Sequence, residues 1–167
     1  MDETAVDAIN SLTGQCAERL RRQGYRLVVA ESCTGGWLAK TLTDLPGSSE
    51  SFDRGFVTYS NQAKQAMLGV TSDTLRQYGA VSKEIVSEMA QGALRESGAD
   101  VAAAISGIAG PGGGSVEKPV GTVCFAWQIR EEELITSEEW FDGDRQQIRW
   151  QAVVHALKQL VQLLGNG

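Results

Sequence analysis

Histidine is almost missing from this chain: a single one, His155, stands among 167 residues. Imidazole-driven hydrolases need a histidine beside the nucleophile. His155 lies instead on the edge of an apolar helical stripe, where a hydrogen-bonded core residue is expected. Cysteine is sparse too. Cys16, Cys33 and Cys124 are odd in number and widely spaced, which suggests neither a disulfide framework nor a CxxC metal site. No cluster of His, Cys and carboxylates offers a metal site either. Thiols used this way fit a reducing cytoplasm. Basic charge is short: 15 Lys and Arg against 21 Asp and Glu give a formal net charge of −6. That argues against a general nucleic-acid or anionic-membrane binder, which needs an excess of cations. A small phosphorylated ligand needs only one local positive pocket. No apolar run approaches the roughly 18 residues of a membrane span. The acidic opening "MDETAVDAIN" lacks the basic-then-apolar layout of a secretory signal.

The sequence does contain alternating helical and strand patterns over its whole length, with no repeat, linker or low-complexity tract. Val6, Ile9, Leu12, Cys16 and Leu20 recur at spacings of three and four and predict a helix over 3–22, with Gly24 as its stop. "YRLVVA" predicts a buried strand, a helix follows over 36–45, and "FDRGFVTYS" predicts a second strand. Short helices start at Asn61 and Ser72. Ser82 is an N-cap for the next long helix, with Val81 and Val86 as a hydrophobic staple. "VAAAIS" at 101–106 is apolar on both faces and belongs in the middle of a sheet. "VGTVCFAWQI" and "LITSEEWF" predict a hairpin around "REEE". A last helix begins near Asp144, with Ile148, Ala152, Ala156, Leu160 and Leu163 facing inward. Strands separated by helices, plus one hairpin, predict a single domain over 1–167, a three-layer α/β/α sandwich with a mixed β-sheet.

Two loops have the character of a site, because ligands gather beyond the carboxyl ends of strands in such sheets. The first, "ESCTGG", offers Ser32 and Cys33 as nucleophiles. Helix-start N–H groups near Thr34, Gly35 and Gly36 would hold an anion or an oxyanion. The plain alternative is a tight turn in which Ser32 or Thr34 only caps the helix. The second, "SGIAGPGGGS", has five glycines among residues 106–115. It reads as a flexible surface loop or as backbone closing around a flat ligand. Neither loop fits GxGxxG or GxxxxGK[ST], so dinucleotide binding and P-loop chemistry are poor fits. Lys64, about one turn into a helix capped by Ser60 or Asn61, sits at the dipole end that disfavours its charge. Burial would lower its pKa further. A neutral lysine takes a serine proton as a histidine does elsewhere, and Tyr59 would orient it or relay the proton. An ordinary solvated lysine is the alternative. Arg145 also sits at the wrong helix end for a cation. It pairs either with a bound phosphate or with Asp142 or Asp144.

Taken together, "VVAESCTGGWLAK", "GSSESFDRGFVTYSNQAK", "GAVSKEIVSEMAQGAL", "SGIAGPGGGSVEKPVGTV" and "FDGDR" resemble the CinA C-terminal domain family. Within it they most resemble the stand-alone nicotinamide-nucleotide amidases. The likeness runs from about residue 5 to 163 and keeps the motifs in order. It implies hydrolysis of the carboxamide of nicotinamide mononucleotide, giving nicotinate mononucleotide and ammonia in pyridine-nucleotide recycling. It also implies that the pyrophosphatase-like N-terminal domain of full-length CinA proteins is absent. Carried over by motif, Ser32 is the nucleophile, Lys64 the base and Tyr59 the tyrosine of the site. No metal or other cofactor is implied. From loop position and charge, Gly107, Gly110 and Gly112 are expected to wall the nucleotide, with Ser106 at their base. Asn61 is expected on the amide or ribose, and Arg145 on the 5′-phosphate. Rival readings are a non-catalytic nucleotide-binding module and a cysteine hydrolase using Cys33. A scaffold role, with the domain pairing as a homodimer through exposed helical faces, is compatible with catalysis.

Overall fold

The computed structural model describes residues 1–165. Helix α1 spans Glu3–Gln23, with Asp2 as its N-cap and Gly24 at φ 68° closing it. Gly24 and Tyr25 both return their N–H groups to carbonyls of the last turn. Tyr25 therefore belongs to the helix cap, and β1 begins later than its apolar run suggests, at Leu27–Glu31. Next come α2 (Trp37–Thr43), a 3-10 turn (Ser48–Glu50) and β2 (Phe52–Val57). Helices α3 (Asn61–Leu68), α4 (Ser72–Tyr78) and α5 (Lys83–Arg95) lead into β3 (Val101–Gly107). Strands β4 (Thr122–Ile129) and β5 (Ile135–Trp140) form the expected hairpin, and α6 (Arg145–Leu164) closes the chain. Its N-cap Asp144 makes a full capping box with Gln147.

The five strands run in the order β2-β1-β3-β4-β5. The first three are mutually parallel and the last two antiparallel, so the sheet is mixed as predicted. Strand β3 is central because its small residues let layers close on both faces. Val101, Ala103 and Ile105 join the cluster made with α1, α2 and α6, whereas Ala102 and Ala104 join the one made with α5. Each fully buried Val, Leu or Ile side chain in these layers contributes about 1.5–3 kcal/mol. Ser82 caps α5 by accepting from the Ile85 N–H at 3.2 Å. One glycine lets two helices touch. A Cβ on Gly92 of α5 would strike the backbone carbonyl of Leu68 at the end of α3, a carbonyl that also accepts from Arg95 Nη2 at 2.8 Å. Helix α3 is therefore held by α5, and with it whatever α3 carries.

Candidate active site

Because β1, β2 and β3 are parallel, their carboxyl ends share one edge of the sheet. The connections after β1 and into β3 use opposite faces, so β1 ends at the crevice where ligands bind in open α/β sheets. Three segments meet there: the turn 32–36, residues 58–60 leading into α3, and the glycine-rich loop after β3.

Side-chain alternation along β1 then splits two neighbours. Glu31, fully buried, turns toward α2. Its two carboxylate oxygens accept from the Leu38 and Ala39 N–H groups, both at 3.0 Å, which fixes the helix start to the strand end. Ser32 turns to the other face. Its Oγ stands 2.9 Å from Lys64 Nζ, and the serine is only 8% exposed. Lys64 reaches it from the first turn of α3, whose N-cap Ser60 accepts from the Ala63 N–H.

Lys64 is 1% exposed, and burial pushes its pKa below the ordinary 10.5, with neighbouring Cys33 opposing. Its Nζ also donates to the carbonyls of Thr58, at 2.8 Å, and Tyr59, at 3.3 Å. Carbonyls can only accept. In the neutral amine both hydrogens go to them, and the lone pair is left for the Ser32 hydroxyl. A solvated lysine is thus excluded.

Cys33, the rival nucleophile, is buried among apolar side chains. Burial first, and then Glu31, push its thiol up to about 11, so it stays protonated and inert. The donors of the turn also differ from expectation in one place. The Gly35 N–H is taken by the Ser32 carbonyl at 3.0 Å, which removes it as an oxyanion donor. The N–H groups of Thr34 and Gly36 have no hydrogen-bond partner among the described residues. Gly35 and Gly36 lie at φ 60° and 97°, a region L-residues avoid. Both glycines are required to fold the turn this way.

Tyr59 meets Lys64 through its carbonyl only. Its hydroxyl, on an exposed side chain, accepts from Arg145 Nη2 at 2.8 Å. The phenol therefore has no hydrogen bond to Lys64 along which a proton could be relayed. Arg145 also donates to the Gly110 carbonyl at 2.7 Å, and no ion pair joins it to Asp142 or Asp144 among the described residues. It spans the glycine loop and the dyad's rim. Ser106 is buried and donates to the Ala80 carbonyl at 2.8 Å, tying β3 to the start of α5. Gly107 packs against Val123 and Cys33 Sγ, Gly110 against Val120, and Gly112 faces open space. Asn61 is exposed at the start of α3.

Sequence reasoning missed three contributors. Glu31 adjoins Ser32 in sequence, but its role, accepting from the first turn of α2, depends on partners that only the fold brings near. Thr58 holds Lys64 through its carbonyl, and its own buried Oγ1, like that of Thr34, has no partner among the described residues. Arg149 lies four residues beyond Arg145 and donates to the carbonyls of Cys33 and Thr34, at 2.9 and 3.1 Å. That spacing was its only signal.

Among known proteins, the nicotinamide-nucleotide amidohydrolase PncC of Escherichia coli strain K12 is 56% identical over 151 residues, 90% of this chain and 92% of that protein. The protein of the same name from Enterobacter agglomerans is 52% identical over 150 residues, again 90% and 92% of the two chains. The crystal structure of the competence/damage inducible protein CihA from Agrobacterium tumefaciens superposes with a TM-score of 0.91 at 46% identity, covering 93% of this chain and 95% of that one. The profile of the CinA C-terminal domain matches residues 9–164, and this chain therefore belongs to the CinA C-terminal domain family.

Proposed function

We propose that the chain is a nicotinamide-nucleotide amidohydrolase, converting nicotinamide mononucleotide and water to nicotinate mononucleotide and ammonia by a Ser32–Lys64 mechanism. The observation that carries the mechanism is the 2.9 Å approach of a buried, carbonyl-held Lys64 amine to the Ser32 hydroxyl. The relatives above, matched over nearly their full length, carry the reaction in their names.

A primary amide is resonance-stabilised, so attack needs an activated hydroxyl and a place for the developing oxyanion. Neutral Lys64 takes the Ser32 proton as Oγ bonds to the carboxamide carbon. The free Thr34 and Gly36 N–H groups are the donors left to receive the oxyanion. Lys64, now protonated, gives its proton to the leaving nitrogen, the C–N bond breaks and ammonia departs. Water, deprotonated by Lys64, then adds to the nicotinyl ester, and Ser32 leaves with its proton restored. Thr58 and Tyr59 keep Nζ aimed through their carbonyls. Arg145, an exposed cation bridging the glycine loop and Tyr59, takes the 5′-phosphate, with Asn61, Gly107, Gly110 and Gly112 around the nucleotide. Ser106 supports that wall from beneath.

Among the described residues no helix is long and apolar enough to cross a membrane. Three buried free cysteines favour a cytoplasmic setting, where the activity would serve NAD recycling. The test is ammonia release from nicotinamide mononucleotide by the purified protein, with Ser32→Ala beside it and EDTA in a parallel arm. Turnover lost in Ser32→Ala with nucleotide binding retained supports the reading. Binding without turnover in the parent protein would leave the nucleotide-binding module instead.

A further inference from the structure

Arg149 reaches the catalytic turn from behind. It lies on α6, which packs on the face of the sheet opposite α3 and α5. Lys64 and Arg149 therefore hold the same short turn from opposite sides. Arg149 Nε donates to the Cys33 carbonyl at 2.9 Å and Nη2 to the Thr34 carbonyl at 3.1 Å. The guanidinium carbon lies 5.6 Å from the centroid of the Trp37 ring, and a Cβ on Gly35 would sit 3.2 Å from Nη2. The fork is thus seated against the turn, with its planar geometry matched to two successive carbonyls.

A trans peptide is planar, and its N–H points opposite to its C=O. Holding the Cys33 carbonyl toward α6 therefore turns the Thr34 N–H toward the side of Ser32 and Lys64. The same logic at the next peptide sends the Gly35 N–H away from Arg149, and that donor is found on the Ser32 carbonyl. The Thr34 N–H remains without a partner among the described residues. No other group among them donates to the Cys33 carbonyl. With two glycines at positive φ the turn has little stiffness of its own, so an outside clamp is what fixes the plane.

We propose that Arg149 is a positioning residue, setting the Cys33–Thr34 peptide plane so that the Thr34 N–H meets the carboxamide oxygen as Ser32 adds to it. This rests on the serine-amidase reading. The bonded guanidinium also polarises the peptide it holds, which strengthens the N–H as a donor. Substrate need not touch Arg149 at all.

The experiment measures kcat, KM and thermal unfolding for Arg149→Ala and Arg149→Lys, with and without added guanidinium chloride at low millimolar concentration. The expected result is a fall in kcat of about 10- to 100-fold, below the ~100- to 1,000-fold of losing an oxyanion donor outright, with KM within about threefold. Guanidinium is expected to restore part of the Arg149→Ala rate, and lysine only part of it, because one ammonium cannot span two carbonyls as a fork does. A kcat within about threefold of the parent overturns the proposal. So does a tenfold rise in KM at unchanged kcat, which would make Arg149 a substrate ligand. A loss matched by the unfolded fraction, with the folded fraction fully active, overturns it too. If Ser32→Ala keeps its amidase activity, the serine reading itself fails, a result distinct from all of these.

Discussion

Each half of the sheet carries a serine beside a nitrogen-bearing side chain. At the parallel half, Ser32 meets Lys64 at 2.9 Å. At the antiparallel half, Ser137 meets His155 Nε2 at 3.3 Å, and Glu139 stands 3.7 Å from the same nitrogen. By residue type the second set is the more familiar one, a serine, a histidine and a carboxylate. Its geometry is wrong. A working triad puts the nucleophile and the acid on opposite ring nitrogens, whereas here both address Nε2. His155 is packed on Phe125, 4.6 Å between centroids, and burial lowers its pKa, with Glu139 opposing and Lys158 adding to the effect. It is a half-buried, hydrogen-bonded packing residue at the edge of the helical stripe. At the parallel half, the Lys64 amine is held by two carbonyls, and Ser32 lies in a turn where the Thr34 and Gly36 N–H groups have no partner among the described residues. Roles are set by where the lone pair points and what surrounds the reacting atom.

The comparison breaks most clearly by deletion. Ser32→Ala and Lys64→Met should each lower kcat for ammonia release by about 10,000-fold or more, while Ser137→Ala stays within about threefold. Comparable losses at both sites would end the distinction. A pH series sharpens it. Only neutral Lys64 accepts a proton, so kcat/KM should rise with pH, about tenfold per unit on the acid limb. The limb should bend at a midpoint below 10.5, because burial lowers that pKa. The limb should persist in His155→Gln; its disappearance there would hand the titration to the wrong pair.

Smaller effects test how the parallel half is held. Gly92→Ala drives a methyl into the Leu68 carbonyl, a contact between backbones that cannot move aside cheaply. It should destabilise the protein by roughly 1–3 kcal/mol. By shifting α3 it should cut kcat ~10- to 100-fold, measured by denaturant melts and steady-state rates. Arg145→Ala should raise KM about tenfold and move kcat far less; an unchanged KM removes it from the phosphate. Cys33→Ala should change kcat by no more than about threefold, since its thiol is held protonated.

Much of the fold was legible because hydrophobic periodicity and caps act locally. The Ser82 cap, the small-residue strand read at 101–106 and the β4–β5 hairpin are dictated by residues within a few positions of each other. Strand ends were less legible. Tyr25 reads as strand by composition, yet its N–H completes the cap of α1. Of the candidate site, the turn glycines, Ser32 and Lys64 could be picked out as residue types suited to one chemistry. Glu31, Thr58 and Arg149 could not, because what they do depends on partners brought near by other strands and helices.

The order of residues therefore decided which groups exist and which local shapes they take: a strand ending in Glu-Ser, a glycine turn and a helix starting just before a lysine. The packed layers alone decided that Lys64, 32 residues from Ser32, arrives buried and with its amine 2.9 Å from the hydroxyl oxygen. They also decided that Gly35 closes the turn while the Thr34 N–H has no partner among the described residues. Dehydration and donor direction are properties of a neighbourhood, and a neighbourhood forms only when distant segments pack against one sheet.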